Sequence, residues 1–161
     1  MRAYRLSRSL YPSYDGEGAR RAGGRWNSKG IRVLYMGENR ALCVLEVLVH
    51  LTDTLPDKYV LGQADIPNDL SYETVEESAL PPNWKTLSIA EQTVARRIGD
   101  EWLTRKSSAV LRVPSVVVGE QNILCNPEHR DFERIHFYDP VSFVFDMRLS
   151  SALARIDPSS N

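Results

Sequence analysis

The chain has 161 residues, 42% of them hydrophobic and 25% charged, which suits one soluble domain with a sizeable core. Its 20 basic and 21 acidic residues leave a formal charge of -1, so there is no global field to hold a polyanion such as DNA; only a local basic patch stays open. No stretch approaches the length of a membrane span, and the arginines at positions 2, 5 and 8 have no apolar run behind them that would make an export signal.

The alternation of Ala3 and Arg5 against Tyr4 and Leu6 predicts a strand over Arg2 to Leu6. Ser7 to Asn27, rich in Ser, Gly, Arg and Tyr, reads as a long irregular loop of the kind that often carries function. Ile31 to Met36 reads as a buried strand bearing Tyr35, and Glu38 to Leu51 as a helix. On that helix Ala41, Val44, Leu45 and Leu48 form the expected core stripe, and Asn39, Cys43, Glu46 and His50 a second face.

Tyr59 to Ile66 and Leu70 to Val75 are further strand candidates, and Pro81-Pro82-Asn83 breaks the chain. Ser88 with Glu91 is a capping-box signature for a helix running to Arg105, with Ile89, Ala95, Ile98 and Trp102 inward and Gly99 as a local weakness of roughly 1 kcal/mol. The last third is strand-rich: Ala109 to Val113, Ser115 to Val118, Asn122 to Cys125, His136 to Tyr138 and Ser142 to Asp146. Pro114 marks a kink or an edge, and Asp157 to Asn161 a frayed tail. Two helices are too few for a doubly wound sheet, so the expected fold is α+β, a single compact domain with a central mixed sheet. Cys43 and Cys125 both lie beside aliphatics, the setting of buried free thiols in a reducing cytoplasm.

Several residues could carry chemistry. Arg25 follows Gly23 and Gly24, whose amides can join its guanidinium in holding phosphate; the plain alternative is a surface arginine in a turn. The glycine spacing is neither a P-loop nor a dinucleotide fingerprint. Tyr35 either meets a planar ligand or is a core tyrosine with a satisfied hydroxyl. Glu46, flanked by Val44, Leu45, Val47 and Leu48, must reach solvent, find a cation or titrate abnormally, all frequent at active sites. A metal site of Glu46, Cys43 and His50 has no second ligand cluster to support it. Ser115 lacks a nucleophile elbow and a partner order, so orienting a ligand hydroxyl or a neighbouring carboxylate suits it better than a hydrolase triad. Asn126-Pro127 before His129 reads first as a turn, and neither His129 nor His136 has an arguable partner.

Taken in order, Gly23-Gly24-Arg25-Trp26-Asn27, Tyr35, Ala41 to Leu51 with Glu46, Val113-Pro114-Ser115, Asn122 to His129 and Phe145-Asp146-x-Arg148 resemble the RES domain, the toxin half of bacterial RES–Xre toxin–antitoxin systems. The resemblance spans about residues 4 to 149, and the family's Arg, Glu and Ser map onto Arg25, Glu46 and Ser115. It implies a fold similar to ADP-ribosyltransferase toxins and cleavage of the nicotinamide–ribose bond of NAD, by hydrolysis or phosphorolysis, or in transfer of ADP-ribose to a protein. On that reading Glu46 stabilises the developing ribosyl cation, Arg25 clamps the pyrophosphate, Tyr35 packs near the nicotinamide ribose and Ser115 orients ribose or Glu46. Gly24, Arg5 and Asn126 support binding. NAD is the substrate, with no metal or other cofactor, and a Xre-type antitoxin is the implied partner. Direct nucleic-acid binding by a non-catalytic module is the reading of a different class, and homo-oligomerisation stays open.

Overall fold

A computed structural model describes residues 1–9, 14–51, 58–85 and 92–149. Eight strands of the described residues form one mixed sheet: β1 (Arg2–Arg8), β2 (Leu34–Gly37), β3 (Tyr59–Asp65), β4 (Tyr72–Thr74), β5 (Val110–Pro114), β6 (Gln121–Cys125), β7 (His136–Phe137) and β8 (Val141–Phe143). The order across it is β4-β5-β6-β2-β1-β3-β7, with β8 also paired to β3. The β4–β5 pair is parallel and the others are antiparallel. Among the described residues three α-helices join them: α1 (Glu17–Ala22), α2 (Arg40–Leu48) and α3 (Gln92–Arg105). The domain is therefore the mixed α/β fold that the order of elements predicts.

Both faces of the sheet are covered, and the period-2 alternation of its central strands sorts residues between them. On β6, Ile123 and Cys125 join Ala3, Leu34 and Met36 in one core, while Leu124 faces Leu111 and Val113 in the other. The second core is closed by Ala95, Trp102 and Leu103 of α3, and by Trp26 and Trp84. The Trp102 indole donates to Ser108 Oγ at 2.9 Å, so its polar edge is satisfied inside the core.

Four expectations need correction. The segment read as irregular loop contains α1, whose Glu17 carboxylate holds Arg20 at 2.7 Å and Arg21 at 2.9 Å. Those two guanidiniums drive Glu17 down to about 2. Second, Ser115 to Val118 is a turn: Ser115 Oγ accepts from the amides of Val117 and Val118 at 3.1 and 3.3 Å, closing the chain just after Pro114. Pro114 is the last residue of β5, beyond the reach of β4, so no ladder bond is lost to its missing N–H. Third, the expected core stripe of α2 is rotated. Leu42, Cys43 and Leu48 are buried, whereas Leu45 is 37% exposed. Fourth, the strand expected from Ile31 begins only at Leu34, and the one expected from Ser142 to Asp146 ends at Phe143. The Ser88 capping box and the 157–161 tail lie outside the described residues.

Candidate active site

The Gly23–Ser28 loop is held from four sides. Tyr35, rising from β2, donates its hydroxyl to Asn27 Oδ1 at 2.9 Å and accepts from the Trp26 amide at 3.1 Å. Asn27 is fully buried, and its Nδ2 donates to the carbonyls of Ala19, Ser28 and Ile31 at 3.0 to 3.1 Å. From α3, Arg96 Nε reaches the Gly24 carbonyl at 3.2 Å, and Asp100 accepts from the Ser28 amide and hydroxyl at 2.8 and 2.6 Å. Gly24 is required by close approach: a Cβ there would stand 2.6 Å from the Tyr35 hydroxyl oxygen and 2.8 Å from Asn27 Oδ1. Burial pushes the Tyr35 phenol upward, so it stays a neutral donor.

This loop presents Arg25. Its Nη1 donates to the Trp84 carbonyl at 2.7 Å, with the guanidinium carbon 6.0 Å from the centre of the Trp84 ring. Burial pushes the guanidinium down, and the Glu46 carboxylate opposes that shift, so the two charges lie near enough to interact. The neighbouring Arg20 and Arg21 are turned away on Glu17.

Glu46 projects from α2 on the same side as Leu42 and Cys43, toward the sheet, and is half-buried. Its Oε1 accepts from Ser115 Oγ at 2.9 Å and from Asn122 Nδ2 at 2.7 Å. Ser115 is 1% exposed and its oxygen already accepts two backbone amides, so its single proton is directed to Glu46. Among the described residues Glu46 makes no ion pair. The turn that carries Ser115 is itself tied to the start of α2. Asn39 caps the helix by accepting from the Leu42 amide at 2.8 Å and donates to Glu120 at 2.9 Å; Glu38 accepts from the Gln121 amide at 2.8 Å.

The other sequence candidates fall in different places. Arg5, on β1 opposite Gly62, donates from Nη1 to the Tyr35 carbonyl at 3.0 Å, while its buried Nε has no hydrogen-bond partner among the described residues. Burial pushes this guanidinium down. Asn126 is removed from Glu46: its amide is spent on the Leu103 carbonyl at 3.1 Å and the Glu128 amide at 3.0 Å, at the far end of β6. Asn122, the residue that does meet Glu46, stands four positions earlier, about 13 Å along the strand. The signal for it was its parity with Leu124 on β6, which places both on the face under α2 and α3. His129 caps a 3-10 turn by accepting from the Asp131 amide at 3.0 Å. His50 is exposed, and among the described residues no group of three or more His, Cys, Asp or Glu could hold a metal. Burial raises the Cys43 thiol to about 11 and Cys125 to about 12, so neither is a nucleophile at neutral pH. A surface concavity of about 490 Å³ beside Arg2, Ile66, Asn68 and Arg134 has its charges paired internally, Arg2 with Asp65 and Arg134 with Asp69.

A mixed α/β domain with an arginine loop and a helix glutamate held by a turn serine defines the class to which the chain is similar. The chain belongs to the RES domain family, whose model matches residues 2–146. It is 37% identical over 154 residues to a "Toxin Res" of Yersinia enterocolitica, covering 92% of this chain and 99% of that protein. It is 33% identical over 139 residues to the "Prs ADP-ribosylating toxin" of a Sphingobium strain, covering 84% of this chain and 85% of that one. In fold it resembles a chain of the crystal structure of the M. tuberculosis MbcT–MbcA toxin–antitoxin complex, with a TM-score of 0.66 at 16% identity, over 96% of this chain and 87% of that chain.

Proposed function

We propose that this protein is the toxin of a toxin–antitoxin pair and that it breaks the nicotinamide–ribose bond of NAD. The observation that carries the reading is Glu46, held by two neutral donors and, among the described residues, in no ion pair, while lying near enough to Arg25 to act on its guanidinium. Glycosidic cleavage passes through an oxocarbenium-like centre, which an unneutralised carboxylate stabilises. The leaving nicotinamide departs neutral from a cationic ring, so the step asks little of a general acid. Arg25 is the donor for the diphosphate, and the tightly held loop gives that clamp a fixed position. Arg5 reaches the Tyr35 carbonyl from the face of the sheet opposite Glu46, and the Tyr35 hydroxyl holds the loop.

The relative named as an ADP-ribosylating toxin favours a second reading, in which the acceptor is a protein side chain. The relatives named as toxins, and the fold shared with a toxin–antitoxin complex, support an antitoxin partner, of the Xre type in our reading, and a cytoplasmic site of action. No helix among the described residues is long and apolar enough to cross a membrane.

Purified protein incubated with NAD is expected to release nicotinamide. Mass analysis in phosphate and phosphate-free buffer separates hydrolysis from phosphorolysis, and label from NAD on a macromolecule identifies transfer. Intact NAD in every arm would overturn the proposal. Arg25→Ala is expected to weaken NAD binding by about 10- to 100-fold in calorimetry, the worth of one charge-assisted contact. Unchanged affinity would remove Arg25 from the diphosphate.

A further inference from the structure

We infer that Asn122 is the residue that positions Glu46 for the bond-breaking step, by fixing Oε1 from the sheet so that Oε2 is the oxygen left for the ligand. The inference rests on the NAD reading for its substrate but on separate geometry for its mechanism.

Glu46 stands on a helix with its carboxylate at the end of three rotatable bonds, so α2 alone does not decide where its oxygens point. Two donors do. Asn122 Nδ2 at 2.7 Å and Ser115 Oγ at 2.9 Å converge on the same oxygen, from a strand and from the turn beside it. Asn122 is paired with Gly37 of β2 and Val113 of β5, in the middle of the sheet, so its backbone is fixed on both sides. Ser115 sits on a turn whose geometry depends on its own two amide bonds. The strand residue is therefore the stiffer of the two supports. Each donor is neutral, so together they orient the carboxylate without pairing its charge as an arginine would. A donor pair on one oxygen leaves the second free to face developing positive charge.

The test compares Asn122→Leu, close in volume but without a donor, and Asn122→Asp, close in shape but carrying an anion where Glu46 needs a donor. Nicotinamide release at neutral pH is expected to lose about 10- to 100-fold in kcat for the leucine variant, with KM within about twofold. The aspartate variant is expected to fall further, because like charges then share the site. A role in packing alone would reverse that order, since aspartate keeps the shape of asparagine; that order, or a leucine variant with wild-type kcat, would overturn the inference. A cycle of Asn122→Leu and Glu46→Ala, each of which removes one partner of the hydrogen bond, gives in thermal unfolding a readout independent of substrate: coupled shifts in midpoint support the contact, and additive shifts overturn it. If the wild type left NAD intact while the coupling persisted, the substrate reading would fail and the positioning of Glu46 would stand.

Discussion

Glu46→Gln is expected to reduce nicotinamide release by about 100- to 1000-fold in kcat, the usual cost of removing one preorganised charge-stabilising group. Glutamine keeps the volume and an oxygen for Ser115 and Asn122, so the two hydrogen bonds survive and the negative charge alone is removed. The unfolding midpoint should stay within a few degrees of wild type, and NAD affinity, set mainly by Arg25, should change little. The variant thus separates two roles that an alanine would blur. A glutamine enzyme retaining more than about a tenth of wild-type kcat would show that the charge of Glu46 does not govern the bond that breaks. The same substitution examined for transfer of ADP-ribose onto protein should lose both activities together, because both pass through the same cleavage.

Much of this arrangement could be read before any fold was known, and the unread parts share a cause. Strands β1, β3 and β6 lie where alternation of side chains puts them, since a strand in a sheet buried on both faces is written in local hydrophobicity. Glu46 stood out because a carboxylate among aliphatics is costly without a task. The face it belongs to was misread because α2 packs on the sheet through Leu42 and Cys43 and also against Tyr59 and Phe145 through Leu48. A helix covered on two sides has no single apolar stripe for periodicity to find. Helix α1 was missed because it is six residues long with Gly18 inside it, while its support comes from Glu17, whose partners include Arg32, 3.5 Å away and fifteen residues on. The Asn122 contact with Glu46 spans seventy-six residues of sequence. Strand parity gave its face, and nothing local gave its partner.

Gly99→Ala is expected to destabilise the protein by about 3 kcal/mol, although on helix propensity alone it should stabilise by about 1 kcal/mol. A Cβ at position 99 would lie 1.8 Å from the Trp26 carbonyl oxygen and 2.8 Å from its carbonyl carbon. Those atoms are backbone, and the amide of the same residue, Trp26, is held by the Tyr35 hydroxyl, so the loop has no soft direction in which to yield. Either α3 moves off the sheet, unpacking Ala95 and Trp102, or the loop leaves Tyr35 and Asp100. The first cost appears as stability, measured as a fall in the unfolding midpoint of about 6 to 12 °C for a domain of this size. The second displaces Arg25 and appears as weakened NAD binding in the fraction that remains folded. A variant with wild-type midpoint and wild-type affinity would mean that the contact between α3 and the arginine loop is looser than 1.8 Å implies. With the fall, the glycine that seemed a flaw in the helix becomes the reason the helix can press directly on the loop that carries Arg25.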